Sequence, residues 1–193
     1  VIDGAHAPGQ LALNLTEVDA DYYTGNFHKW LCAPKSAGFM VARSEHQHKW
    51  HPLIVSWGWI NEETPVGKLQ WKGTDDVSAY LTLPDAVRFQ QEHQWDSVRR
   101  SCHKLAVKSR QRLIDLFDLP AVSPENNFVQ LFIAELPQCE PTQVQDALYY
   151  EHQVEVPIII WQDRQFVRVS VQGYNTEEDV ERLIIGLKSI FSH

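Results

Sequence analysis

The sequence predicts an α/β protein whose last part forms a small α+β domain. Three observations carry this. Short apolar runs bounded by Gly and Pro, at 1–3, 20–25 and 38–43, read as strands. From Asp76 to about Leu119, apolar residues recur mainly at helical spacing. Beyond residue 128 the pattern changes to strand, helix, strand, strand and helix. These patterns divide the chain into a strand-containing part, 1–75, connecting helices, 76–120, and the small α+β domain, 121–193.

Val1-Ile2-Asp3 reads as the end of a buried strand, broken by Gly4 and Pro8-Gly9. A carboxylate there is partly desolvated and needs a cationic partner. Ala20 to Gly25 is a second short strand running into a turn. Lys29 follows among Phe27, His28, Trp30 and Leu31. Apolar, aromatic surroundings disfavour the charge on a lysine and free the amine to attack a carbonyl. Gly38 to Arg43 is an apolar strand expected beside the Lys29 strand. Next, His46, His48 and His51 have a spacing that could bind a metal, or they line a polar loop or strand edge, since no closing ligand is evident. Leu53 to Ile60 is apolar and aromatic. Asn61 to Lys72 reads as a polar connection ending in Gly73-Thr74-Asp75-Asp76, where Thr74 or Asp75 would cap the next helix.

In the helical section Val77, Tyr80 and Leu81 form one stripe, and Pro84 marks a break or a first turn. Ala86, Val87, Phe89, Trp95, Val98, Leu105, Val107, Leu113, Ile114 and Phe117 keep roughly helical spacing, with Arg and Lys between them as a solvated face. A turn-rich linker covers 119–127. Residues 128–136 read as a strand and 141–150 as a helix with Pro at its start. Residues 154–161 and 166–172 form a hairpin across 162–165. Thr176-Glu-Glu-Asp179 resembles a capping box opening a helix with an apolar stripe at Val180, Leu183, Ile184, Leu187 and Ile190.

Composition narrows the function. Of 193 residues, 44% are hydrophobic, enough for a real core. The net charge of −8 argues against nucleic acid or an anionic membrane as partner. No apolar run approaches membrane-spanning length. Cys32, Cys102 and Cys139 form no CxxC pair, which points to reduced thiols in a cytoplasmic protein. The chain opens without an initiator methionine, inside a strand. It is therefore expected to be the C-terminal part of a longer protein, one that binds cofactor poorly and is inactive by itself.

One cofactor uses both a reactive lysine and a distant carboxylate: pyridoxal 5′-phosphate forms a Schiff base with Lys, and its ring nitrogen is held protonated by an Asp. Asp3-Gly-Ala-His6, Tyr23-Thr-Gly-Asn-Phe-His-Lys-Trp30 and Ala33-Pro-Lys-Ser-Ala-Gly38 together resemble the class V aminotransferase family, in its isopenicillin N epimerase-like branch. Matching motifs recur as far as 168–175. The resemblance implies the C-terminal part of the fold type I architecture, with 1–75 belonging to the large cofactor-binding domain. It implies that Asp3 pairs with the pyridinium nitrogen, that His6 lies against the ring or its hydroxyl, that His28 approaches the phosphate, and that Lys29 is the covalent anchor. Gly73-Thr74 resembles the turn that reaches the phosphate of a neighbouring subunit, so a homodimer is implied. Asp75 stands where many relatives carry Arg, and Ser36 where many carry Gly.

Arg168, in Phe166-Val-Arg-Val-Ser170 followed by Tyr174-Asn-Thr176, resembles the arginine that grips the α-carboxylate of an amino-acid substrate. Its planar fork suits bidentate binding. The plainer alternative is a strand Arg paired across the sheet. The implied activity is epimerase, aminotransferase or lyase chemistry. Desulfurase chemistry, which needs a mobile nucleophilic Cys, is less favoured: Cys102 falls in the helical stretch and Cys139 in a polar turn. Two readings of other classes are a non-catalytic dimerisation piece and a metal-binding module on His46, His48 and His51.

Overall fold

In the computed structural model, which describes residues 1–192, strand β1 (Ile2–Asp3) runs parallel to β2 (Tyr22–Asn26). The crossover between them carries one short helix, α1 (Leu15–Val18), whose N-terminus is capped by the Asn14 side chain. Strand β3 (Gly38–Ala42) pairs antiparallel with β2, from Tyr22 opposite Ala42 to Asn26 opposite Gly38. The sheet order is β1-β2-β3, so β3 lies beside the strand leading to Lys29, as expected.

The chain divides into two compact units, Val1–His93 and the residues from Gln94 onward. In the first, Tyr23, Trp30, Ala33, Ala37 and Ala42 are buried. The expectation of a buried first strand does not hold here: Val1, Ile2 and Asp3 are all exposed. A 3₁₀ turn covers Ser44–Lys49. Two short helices follow: α2 (Trp57–Asn61), at the end of the apolar, aromatic stretch, and α3 (Pro65–Gln70), within the expected polar connection. Thr64 caps α3, its hydroxyl accepting from the Gly67 amide at 3.0 Å, and Pro65 fits the first turn because its missing N–H would be unpaired there anyway. Helices α4 (Ser78–Leu81) and α5 (Leu83–Glu92) follow. The expected cap at Thr74 or Asp75 is not formed. Val77 stands at the N-cap without a side-chain hydrogen bond, and Asp76 just before it accepts from the Ser78 amide at 2.8 Å.

The second unit opens with the long helix α6 (Trp95–Phe117). Its buried side, Cys102, Ala106, Ser109, Arg110 and Leu113, follows the helical period. Arg110 departs from the expected solvated face. Its guanidinium donates to the Ser123 carbonyl at 2.7 Å and lies 4.7 Å from the Phe128 ring centre, so it holds down the linker after α6. A 3₁₀ turn (Glu125–Asn127) precedes β4 (Leu131–Leu136). Then come α7 (Pro141–His152), β5 (Ile158–Trp161), β6 (Arg164–Ser170) and α8 (Glu177–Phe191). The sheet is antiparallel with order β4-β6-β5.

The β-α-β-β-α order is thus as the sequence predicts. Its hairpin turn is tighter than expected: only Gln162 and Asp163 lie outside the strands, both at positive φ, the conformation that matches strand twist in two-residue turns. The capping box is present. Thr176 accepts from the Asp179 amide, and Asp179 accepts from the Thr176 amide at 2.9 Å. Phe132, Ala134, Leu136, Val167 and Val169 of the sheet share one core with Leu113, Leu148, Leu183 and Leu187 of the helices.

Candidate active site

Because β1 and β2 are parallel, their C-terminal ends emerge at the same edge of the sheet. Open sheets of parallel strands place ligands there. Asp3 ends β1 and the Phe27–Ala37 loop leaves β2, so the sheet itself brings the two sequence motifs together.

Each half is braced. After Asp3 the chain turns, with the Ala5 amide donating to the Asp3 carboxylate at 2.9 Å and the Ala7 amide to the Gly4 carbonyl at 2.8 Å. Gln10 donates to the His6 carbonyl at 2.7 Å. The Lys29 loop is closed on itself: Phe27 donates to Ala37, Ala33 to Phe27 and Cys32 to Lys29. Phe27 stacks on Phe39 with centroids 5.0 Å apart. From α5, buried Gln90 donates to the Trp30 carbonyl at 3.0 Å. Gly9, at φ +89°, runs so close to the Trp30–Leu31 peptide that an added Cβ would lie 2.4 Å from its atoms. Ser36, the residue noted above as standing where Gly is common, adopts φ +83°, a left-handed conformation that favours Gly.

On this scaffold Lys29 and His6 meet. Lys29 Nζ lies 3.1 Å from His6 Nε2, and the Trp30 indole N–H donates to His6 Nδ1 at 3.0 Å. Lys29 is half-buried and Trp30 buried. His28, next in the chain, has Nδ1 3.4 Å from the Ala37 carbonyl. Asp3 is at the same edge but solvent-exposed, with no ion-pair partner among the described residues. The partly desolvated carboxylate expected from the sequence is therefore not what this chain holds. Burial pushes the Tyr23 phenol above its usual range, and the nearby Asp3 charge adds to this.

Thr74 lies in an exposed loop whose Gly73 has φ +114°. The Thr74 hydroxyl makes no hydrogen bond among the described residues. Beside it Lys72 and Asp75 pair at 2.7 Å, and that hydrogen bond holds the Asp75 carboxyl below its usual range and raises Lys72. Arg168 belongs to the second unit, on the central strand β6 opposite Ile133. Its Nε is buried without a hydrogen-bond partner, an orphan donor that normally calls for a ligand or water. No carboxylate pairs with it across the sheet among the described residues. The ion pair on that strand belongs to Arg164 and Glu135.

Of the three histidines with metal-like spacing, His46 and His51 take separate partners. His46 stacks on Tyr22 and lies 3.2 Å from Asp21, while His51 packs against Trp59. Among the described residues no group of three or more His, Cys, Asp or Glu is placed to hold a metal. None of the three cysteines forms a disulfide, and no described helix is long and apolar enough to cross a membrane. The braces from Gln10, Gln90 and the Trp30 indole were missed by sequence reasoning, because each joins a polar group to a partner defined only by the fold.

Known proteins are similar to this chain in sequence and fold. The family described as aminotransferase class-V matches residues 1–183. Isopenicillin N epimerase from Amycolatopsis lactamdurans is 32% identical over 206 residues, covering 98% of this chain and 52% of the relative. An L-cysteine desulfhydrase from Arabidopsis thaliana is 28% identical, covering 94% of this chain and 45% of the relative. The chain spans about half the length of the curated relatives it matches. Among solved structures, an apo cysteine desulfurase from Thermococcus onnurineus NA1 superposes with a TM-score of 0.78 at 20% identity, covering 98% of this chain and 52% of that one. A C-DES mutant with glycine covalently linked to its PLP cofactor gives 0.71 at 18% identity, covering 95% and 50%. These structural likenesses show the fold, and the α/β reading with a small C-terminal α+β domain is borne out.

Proposed function

Because the chain belongs to the class V aminotransferase family, we propose that the protein containing it is a pyridoxal-phosphate-dependent enzyme acting on an amino acid, with epimerase, aminotransferase or lyase chemistry. One observation carries the reading: at the shared end of two parallel strands, the Lys29 amine is held 3.1 Å from an imidazole that is itself fixed by Trp30. A lysine tied down in this way, on a loop braced by its own amides and by Gln90, is a positioned nucleophile.

The donor set fits the cofactor. Lys29 would anchor it covalently, Asp3 would face the ring nitrogen, His6 the ring or its hydroxyl, and His28 the phosphate, with Thr74 offered to the phosphate of a second subunit. When bound, the cofactor supplies an electron sink for cleavage of a bond at the substrate Cα. The residues of this chain do the rest. Asp3 holds a proton at the ring nitrogen through its charge. Lys29 Nζ, once released, takes and returns the Cα proton as base and then acid. Arg168 binds the α-carboxylate and so orients the Cα–H bond. Its orphan Nε supports this role.

The exposed apolar run Leu53-Ile54-Val55, with Trp57 and Ile60, supports a homodimer contact. Three cysteines outside any disulfide fit the cytoplasmic location expected from the sequence. The functional reading is tested with Lys29→Ala in the full-length protein: borohydride should no longer fix the cofactor to the chain. Undiminished covalent labelling would refute the assignment.

A further inference from the structure

Three groups stand in a row at the site. The Trp30 indole N–H points at His6 Nδ1 across 3.0 Å, and His6 Nε2 faces Lys29 Nζ across 3.1 Å. An indole nitrogen only donates, so Nδ1 must present a lone pair. A neutral imidazole then carries its hydrogen on Nε2, the nitrogen facing the amine. We propose that Trp30 is a positioning residue for Lys29: by fixing His6 as the Nε2–H tautomer it makes the amine meet a ring hydrogen instead of a ring lone pair.

The consequence is specific. An ammonium has three hydrogens and no lone pair, so it cannot accept from Nε2–H. The Lys29–His6 contact is a hydrogen bond only with the amine uncharged and its lone pair toward the ring. The opposite arrangement, an ammonium donating to Nε2, would put a hydrogen on Nδ1 against the indole N–H. Trp30 thus favours the form of Lys29 that attacks a carbonyl. The inference rests on the covalent role proposed above for that amine.

The rest of the site keeps the row in place. Trp30 is buried, at 6% exposure. Its carbonyl is held by buried Gln90, and its peptide is wedged against Gly9. Gln10 holds the His6 carbonyl. The indole and the imidazole are therefore anchored through their own backbones, 24 residues apart in the chain.

The test uses cofactor-stripped full-length protein labelled with ¹⁵N-histidine, with the His6 resonances identified by their loss in His6→Asn. The native protein should show Nδ1 bare and Nε2 protonated. In Trp30→Phe both tautomers should appear, and the acetylation rate of Lys29, read by mass spectrometry, should fall about fivefold, the effect of one typical hydrogen bond. Should the Phe variant fold poorly, 3-benzothienylalanine at position 30 keeps the shape and replaces the N–H by sulfur. It should behave like Phe, whereas 5-fluorotryptophan, which keeps the N–H, should restore native behaviour. A native His6 protonated at Nδ1 overturns the proposal. So does a benzothienyl variant that retains the single Nε2–H tautomer and the native acetylation rate. The resonances are read without cofactor, so failure of the protein to bind pyridoxal phosphate would defeat the functional reading while leaving them unchanged.

Discussion

Replacing Gly9 by Ala should loosen the Lys29 loop without touching any side chain of the site. At φ +89°, a methyl at this position would stand 2.4 Å from the Trp30 carbonyl carbon and the Leu31 nitrogen. A left-handed conformation costs a non-glycine residue about 1–2 kcal/mol. Overpacking against close-set atoms adds about 1–3 kcal/mol. The obstructing atoms are backbone and cannot rotate away, so the loop itself must move, at a combined cost of about 2–5 kcal/mol. That is a large share of the stability of an ordinary domain, about 5–15 kcal/mol. Hydrogen exchange reads the effect locally. The amides of Phe27, Cys32 and Ala33 donate within the loop, and a loss of about 2 kcal/mol would speed their exchange about thirtyfold. The β4–β6 ladder of the second unit should keep its rates. Native exchange at all three loop amides in Gly9→Ala would refute the claim that the 4–9 turn braces the lysine.

Three further outcomes follow from the same geometry. Arg168→Ala should weaken amino-acid binding about ten- to hundredfold, the value of a charge-assisted hydrogen bond, and cofactor binding much less; titration of each ligand separately checks this, and equal losses would count against the carboxylate role. Glu135 accepts from Arg164 Nε at 2.7 Å, and this hydrogen bond holds its carboxyl below the usual range. Its contribution is present above the unfolded carboxyl value, about 4.3, and is lost as pH falls through the lower folded value. Denaturant unfolding should therefore find Glu135→Gln less stable than wild type at about pH 7, with the difference vanishing well below about pH 4. Ser36→Gly should raise stability by up to about 1 kcal/mol, because relief at φ +83° outweighs the added entropy of the unfolded chain; a lowered melting temperature would oppose this.

What could be read from the sequence was local. The strands at β2 and β3, the capping box at Thr176 and Asp179, and the strand-helix order after residue 128 all depend on signals within a few residues. The helix at Pro65 carried such a signal too, in Thr64-Pro65, and was missed because the segment around it is polar. The two-residue turn at Gln162-Asp163 had no such signal, since neither residue is a glycine or an asparagine. In the site, Lys29 and His6 could be named from the motifs, and parallel pairing of β1 with β2 explains why residues 23 positions apart converge. Trp30, Gln90 and Gln10 could not, because an aromatic N–H or an amide declares its partner only after the fold has set it within reach. The exposure of Asp3 was equally hidden: hydrophobic patterning identifies a strand but not what covers it.

The most direct test of a covalent lysine is reductive trapping. Borohydride applied to the native full-length protein, followed by proteolysis and mass spectrometry, should place the pyridoxyl mass on the peptide containing Lys29 and bleach the visible band. A protein that carries no such label, or that carries it on another lysine while Lys29 remains unmodified, would contradict the account.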